Sequence, residues 1–181
     1  MKNMTIWNIA RACKGHLAVP AGKHTGTCPA AGMAVIRGYS GKEAAGIVID
    51  SRKVEPGDIF VAIRGERVDG HQFIREVFNK GAIAVVCEEE PEELPGPCIR
   101  VEDSLAALRQ IAAFYREQMP IPIVGITGSV GKTSTKEFVA SVLAQKYKTH
   151  KTQGNFNNEI GVPLTLLAMP EDTEAAVVEL S

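Results

Sequence analysis

The residues with the clearest chemical potential are Thr127-Gly128-Ser129-Val130-Gly131-Lys132-Thr133. They follow the apolar run from Ile121 to Ile126 and precede a segment with helical spacing. A strand, a glycine turn ending in Lys-Thr and then a helix form an arrangement suited to nucleotide phosphates. The glycines let successive backbone N–H groups turn toward an anion, and the helix N-terminus adds partial positive charge. Lys132 is placed to reach the outer phosphates, and the Thr133 hydroxyl to ligate Mg²⁺. The strict pattern G-x-x-x-x-G-K-[ST] is not met. Ile126 stands where its first glycine belongs, and Gly125 falls one residue too early. The variant T-G-x-x-G-K-T is met.

A carboxylate completes such a site. Glu179 ends the apolar run Ala175-Ala176-Val177-Val178. At the C-terminal end of a parallel strand beside a phosphate loop, it is placed to hold Mg²⁺. Between the two lies Thr152-Gln153-Gly154-Asn155-Phe156-Asn157-Asn158-Glu159-Ile160-Gly161-Val162-Pro163. Its asparagines offer donors and acceptors. From composition alone it is equally a turn-rich loop.

The elements that would position these residues alternate between strand and helix. Met4 to Ala12 reads as a short helix, and Gly15 to Gly46 as loop with short strands. Runs at Gly46–Ile49 and Ile59–Ile63 flank the turn Glu55-Pro56-Gly57-Asp58. Gln72 to Lys80 has helical spacing, with Phe73, Val77 and Phe78 inward and Gly81 as its stop. Ala82–Cys87 and Cys98–Val101 read as strands around the acidic loop Glu88–Glu93. A helix from Asp103 or Ser104 to about Gln118 presents Leu105, Leu108, Ala112 and Tyr115 on one stripe. Met119-Pro120-Ile121-Pro122 breaks it. Beyond lie the strand to Ile126, a helix from Thr133 to Lys146 with Phe138, Val139, Val142 and Leu143 toward a sheet, a strand at Tyr147–Lys151, a helix from Gly161 to Leu167, and a strand at Ala175–Leu180. The alternation predicts an α/β fold with parallel sheets. The boundary is expected near Pro120, giving domains 1–119 and 120–181. The second would have about three strands, a low number for independent stability, so the sequence reads as the opening of a longer protein.

Bulk properties exclude several classes. The chain has 181 residues, 45% of them hydrophobic, and a net charge of −1. That leaves no basic footprint for nucleic acid. No apolar run approaches membrane-spanning length, and the N-terminus lacks signal-peptide features. A cytoplasmic protein without membrane insertion is expected, with a monomer as the default. The four cysteines, Cys13, Cys28, Cys87 and Cys98, form no C-x-x-C pair and read as free thiols. Cys13, His16, His24 and Cys28 have donor types suited to zinc, but no strand or helix signal frames them, and a loop is the simpler reading.

Three stretches carry a resemblance to a known family. They are Ile49-Asp50-Ser51-Arg52-Lys53-Val54-Glu55-Pro56-Gly57-Asp58-Ile59-Phe60-Val61-Ala62-Ile63 with Asp69-Gly70-His71-Gln72-Phe73; the phosphate loop through Ser134-Thr135-Lys136-Glu137; and the Gly-Asn-Phe-Asn-Asn-Glu-Ile-Gly-Val-Pro-Leu-Thr-Leu-Leu run from Gly154. Together the chain resembles the ATP-dependent Mur ligases of peptidoglycan synthesis, over about residues 46–181. The run from Gly154 is most similar to the member that adds a D-alanyl-D-alanine dipeptide; the sister ligase adding the third peptide residue usually carries Thr-Thr-Pro there.

The resemblance implies a small α/β domain for the UDP-linked substrate, followed by the start of a P-loop parallel-sheet ATPase domain. It implies ATP and Mg²⁺ as cofactors, with a UDP-N-acetylmuramoyl-tripeptide and D-alanyl-D-alanine as substrates. Nucleotide contacts would fall on Thr127, Gly128, Ser129, Val130, Gly131, Lys132, Thr133, Ser134, Asn155 and Asn158, with Lys132 catalytic. Metal ligands would be Thr133 and Glu179. Asp50, Ser51, Arg52 and His71 would contact the UDP-linked substrate. The carbamylated lysine that assists Mg²⁺ binding in the family, and a third domain, are expected beyond Ser181, so this chain alone is not expected to catalyse ligation. Two alternatives stand: another Mur-type or folate polyglutamate ligase, against which the Asn-Asn run argues, or a non-catalytic module that holds a UDP-sugar or nucleotide.

Overall fold

The computed structural model describes residues 1–20, 38, 41–65 and 68–181. It divides into two compact units, Met1–Ile111 and Ala112–Ser181. The division falls within a helix, ahead of the Met119-Pro120 break at which the sequence placed it. His24 and Cys28 of the Cys/His group lie outside the described residues. Cys13 is buried, its thiol donating to the Ile9 carbonyl at 3.1 Å.

The first unit begins with α1 (Ile6–Ala12). Thr5 caps it by accepting a hydrogen bond from the Asn8 N–H at 3.2 Å, which satisfies one donor of the open first turn. A five-stranded sheet follows, built from β1 (His16–Ala18), β2 (Ile47–Val48), β3 (Ile59–Val61), β4 (Ala84–Cys87) and β5 (Cys98–Arg100). The spatial order is β1-β5-β4-β3-β2, with β1 antiparallel to β5 and the other pairs parallel. Every residue of β3 and β4 is buried, as expected of parallel strands covered on both faces. The sequence segment from Gln72 to Lys80 is a 3-10 turn, Gly70–Phe73, running into α2 (Ile74–Asn79). Ile74 and Val77 enter the core with Phe60, Val85 and Cys87, while Phe73 and Phe78 pack at its margin. Gly81 follows the helix with φ +99°, a backbone that stops a helix cleanly only at glycine.

Helix α3 (Ser104–Glu117) ends the first unit and begins the second. Its buried stripe is Ala107, Leu108, Ile111, Ala112 and Tyr115, with Leu105 half-buried. The second unit holds β6 (Ile123–Ile126), α4 (Lys132–Leu143), β7 (Thr149–Lys151), α5 (Gly161–Leu167) and β8 (Ala175–Glu179). Its sheet is fully parallel in the order β6-β8-β7. The last strand in sequence is thus the central one, and all five of its residues are buried.

The orientation of α4 corrects the sequence reading. Phe138 and Val142 are 72% and 71% exposed, and the buried residues are Lys136 and Ala140. Val139 and Leu143 are only half-buried. The apolar pattern pointed to one face, but the helix is turned by polar contacts at its first turn, where Thr133 bonds to the end of β8. Lys136 and Ala140, three and seven residues after the exposed Thr133, are the positions that this anchoring directs inward. The consequence is measurable by chemical denaturation of this chain. Phe60→Ala, which empties a fully buried site, is expected to cost about 3–5 kcal/mol. Phe138→Ala is expected to change stability by less than about 0.5 kcal/mol.

Candidate functional site

The second unit assembles its polar site at the C-terminal ends of its strands. In the β6–β8 register Ile126 lies opposite Glu179. The loop that leaves β6 at Thr127 therefore starts beside the Glu179 carboxylate. A parallel pair puts both C-terminal ends on one edge, where open α/β sheets bind ligands.

The loop enters α4 through Gly131, at φ +77° and ψ 2° in the left-handed region. Glycine is the residue that adopts this backbone without penalty. No side chain caps α4, so its first turn presents N–H groups that an anion can satisfy. Lys132 Nζ donates to the Gly128 carbonyl at 2.8 Å, folding the lysine back over the loop. Thr127, Gly128, Ser129 and Val130 are exposed, Val130 at 88%. Ser134, in the first turn of α4, is exposed as well.

Glu179 is 2% exposed and draws partners from three other segments. Its Oε1 accepts from the Thr133 hydroxyl at 3.2 Å and from Asn157 Nδ2 at 2.9 Å. Its backbone N–H donates to Thr152 Oγ1 at 2.9 Å. Its Oε2 is buried without a hydrogen bond and faces Lys136 Nζ at 3.5 Å. Burial pushes the Glu179 carboxyl up, but the hydrogen bonds from Asn157 and Thr133 and the Lys136 charge outweigh it, and the group lies below the usual glutamate range. It is therefore a carboxylate at neutral pH.

These oxygens suit a hard cation. Among the described residues, no group of three or more His, Cys, Asp or Glu could hold a metal. A cation here would take Thr133 and Glu179 from the protein and its other ligands from phosphate and water, as Mg²⁺ does beside nucleotides. Oε1, 3.2 Å from the Thr133 hydroxyl, is the oxygen placed for that role, while the orphaned Oε2 lies behind it against Lys136.

The asparagine run divides by function. Asn157, which the sequence reading quoted but did not single out, is the one that reaches Glu179. Asn158 Oδ1 accepts from the Ile160 and Gly161 N–H groups at 3.3 and 2.8 Å and so starts α5. Asn155 is exposed, its carbonyl accepting from the Asn157 N–H at 2.8 Å. Lys136 and Thr152 were also missed. Spacing from Thr133 could have suggested Lys136, since residues three apart share a helix face. Nothing in the sequence marks Thr152.

In the first unit, Asp50 caps a 3-10 turn, Ser51–Lys53. Its Oδ1 accepts from the Arg52 backbone N–H at 3.1 Å, and its two oxygens receive the Arg52 guanidinium at 2.9 and 2.8 Å. The arginine fork expected to face phosphate is closed on its own neighbour, with its side chain 85% exposed. Ser51 is buried, and its carbonyl accepts from Lys80 Nζ at 2.9 Å. His71 is tied on both ring nitrogens. Nε2 accepts from the Glu88 N–H at 2.9 Å, so Nδ1 carries the proton and donates to Asp69 at 2.6 Å. This links the turn before α2 to the end of β4. Asp69 caps the turn, accepting from the His71 N–H at 2.9 Å.

Comparison with known proteins decides the family. Residues 43–116 match the model of the Mur ligase family, catalytic domain, and residues 126–181 match the Mur ligase middle domain. The UDP-N-acetylmuramoyl-tripeptide–D-alanyl-D-alanine ligase of Bacillus subtilis is 41% identical over 99% of this chain and 36% of its own length. The chain belongs to the Mur ligase family. The ligase of the same name from Synechocystis is 50% identical over 75% of this chain and 30% of its own length. Among solved structures, MurF from Acinetobacter baumannii matches with a TM-score of 0.79 at 33% identity, over 97% of this chain and 35% of that one. MurF from Thermotoga maritima, solved in complex with ADP, matches at 0.68 and 38% identity over 74% and 31%. The chain thus spans about a third of the length of these Mur ligases. No helix among the described residues is long and apolar enough to cross a membrane.

The Asp50–Arg52 pair has a titration signature. The hydrogen bonds from the Arg52 side chain and backbone lower the Asp50 carboxyl from 3.8 to about 2. The stability it adds is present above its unfolded value and lost as pH falls from about 4 toward 2. It is small, because the pair is exposed. An NMR titration should place the Asp50 midpoint near 2, and Arg52→Ala should return it toward 3.8. A second expectation concerns His71→Ala, which leaves the Glu88 N–H without its acceptor. It should cost about 1–3 kcal/mol in denaturant unfolding.

Proposed function

We propose that this chain is the substrate-binding and phosphate-loop part of an ATP-dependent ligase that joins D-alanyl-D-alanine to a UDP-N-acetylmuramoyl-tripeptide. The observation that carries the reading is the juxtaposition of an uncapped, glycine-entered helix bearing Lys132 and Thr133 with the buried Glu179 carboxylate. The names of the relatives supply the substrates, and the ADP held by the Thermotoga protein supports a nucleotide at the loop. The expected division of labour, residues 1–119 for the UDP-linked substrate and 120–181 for ATP, follows the same reading, as does a cytoplasmic location.

The chemistry has a plain physical logic. A carboxylate is a poor electrophile at neutral pH. Transfer of the terminal phosphoryl group of ATP to the tripeptide carboxylate creates an acyl phosphate, and ADP departs. The amine of D-alanyl-D-alanine then attacks the acyl carbon, the amide forms and inorganic phosphate leaves with the bonding pair. The first step brings two anions together, so positive charge must be concentrated where they meet. Lys132 supplies one such charge once it exchanges the Gly128 carbonyl for a phosphate oxygen. The N–H groups at the start of α4 supply fixed dipoles. Mg²⁺, when bound, would add charge neutralisation between the phosphates, held by Thr133 and Glu179. Asn157 keeps the Glu179 oxygen aimed toward Thr133.

In the first unit the reading assigns Arg52, with Asp50 and Ser51, to the diphosphate of the substrate. The guanidinium would trade the Asp50 carboxylate for phosphate oxygens, a geometry that both anions satisfy. His71 serves this region by holding the backbone, a support role consistent with its two internal bonds.

Lys132→Ala is the direct test, made in the longest polypeptide that carries this sequence. It should lower ATP-dependent ligation by about 10²-fold or more while circular dichroism and melting stay unchanged, because the lysine is on the surface of the loop. Near-normal phosphate release would exclude the assignment. Arg52→Ala should weaken binding of UDP-muramoyl peptide by roughly tenfold or more in calorimetric titration; equal binding would remove Arg52 from the substrate contacts.

A further inference from the structure

Lys136 has no role in the reading above, yet it is 1% exposed and among the largest fully buried side chains. An ammonium group taken from water is costly unless opposite charge stands beside it. Two carboxylates do, each at 3.5 Å: Glu179 Oε2 and Glu137 Oε1. Glu137 is half exposed and already ion-paired with Lys151. The partner that shares the burial of Lys136 is Glu179, whose side chain is 3% exposed.

We propose that Lys136 is a positioning residue that acts as the resident counter-cation of Glu179, so that the site takes up a divalent metal only together with nucleotide phosphate. The proposal rests on the reading of Glu179 as a metal ligand. Three features carry it. The Glu179 oxygen that faces Lys136 makes no hydrogen bond, so the ammonium is what compensates it. The contact is longer than a charge-assisted hydrogen bond, about 2.7–2.9 Å, so it is an electrostatic pairing that can loosen when another cation arrives. The other oxygen is directed by Thr133 and Asn157, which leaves Lys136 to settle the charge rather than the aim.

The electrostatics then give an order of binding. Glu179 and Lys136 together are neutral. A bare divalent ion must enter against the Lys136 charge with one carboxylate to attract it. A nucleotide brings several negative oxygens to the adjacent loop, and the balance turns in favour of the metal. Removing the Lys136 charge should therefore raise affinity for the metal alone.

The experiment uses Mn²⁺ alone as the probe, followed by electron paramagnetic resonance on this chain. Wild type should bind Mn²⁺ weakly without nucleotide. Lys136→Met, which keeps the length and apolar stem, should bind it about tenfold or more tightly, and Mn²⁺ should raise its melting temperature more than that of wild type. Lys136→Arg, which keeps the charge, should behave as wild type does. If Lys136→Met is folded and binds Mn²⁺ no better than wild type, the proposal is overturned. If Lys136→Met fails to fold, adding Glu179→Gln should restore folding, because the orphaned carboxylate is then the cause; a double variant that stays unfolded also overturns the proposal. ADP titrations with and without Mn²⁺ separate the two readings. Loss of the Mn²⁺-dependent tightening of ADP in Glu179→Gln supports Glu179 as ligand, whatever Lys136 does. Its persistence in Glu179→Gln overturns both.

Discussion

The second unit is organised around the buried carboxylate of Glu179 at the end of the central strand β8. A carboxylate withdrawn from water costs several kcal/mol unless it is paired and hydrogen-bonded. Three side chains, from two parts of the chain, answer that cost at the carboxylate, and a fourth, Thr152, accepts from the Glu179 backbone N–H. Thr133 and Lys136 come from α4, Thr152 from the residue after β7, and Asn157 from the loop before α5. Satisfying Glu179 therefore sets the rotation of α4 and the path of the asparagine loop. The same contacts put the Thr133 hydroxyl and the open end of α4 on the edge where β6 releases the phosphate loop. In the proposed reading, what stabilises the fold locally is also what prepares a place for a cation and a phosphate.

The first unit uses charge differently. Arg52 is exposed and paired with its near neighbour Asp50, and the part-buried His71 is paired with Asp69. Exposed pairs of this kind contribute little to stability, so the guanidinium is held in shape at small cost and is free to exchange partners. His71 is the exception, since its second nitrogen receives the Glu88 N–H and spans from the turn before α2 to the end of β4. The sheet beneath, with β3 and β4 wholly buried, supplies the rigid support. The second unit thus keeps Glu179 buried and balanced by Lys136, while the first leaves the Asp50–Arg52 pair exposed.

Much of this was legible in the sequence, and the limits have physical causes. Strand and helix alternation, glycine stops and proline breaks marked nearly every described element, because those signals are local: φ preferences, period and capping chemistry act within a few residues. The glycine turn that leads into α4 was legible for the same reason, its glycines, lysine and threonine being contiguous. Glu179 could be singled out because a carboxylate ending an apolar run is locally unusual. Tertiary structure alone decided the rest. The strand order that makes β8 central and sets Ile126 opposite Glu179 depends on pairings across more than fifty residues of chain, which no local pattern encodes. The inward face of α4 followed a hydrogen bond at its first turn rather than its apolar spacing, so Phe138 and Val142 face out and Lys136 in. Among three asparagines of equal chemistry, only Asn157 meets the carboxylate. Residue type states what a side chain can bond to; the convergence of distant segments on one desolvated charge determines which of them does.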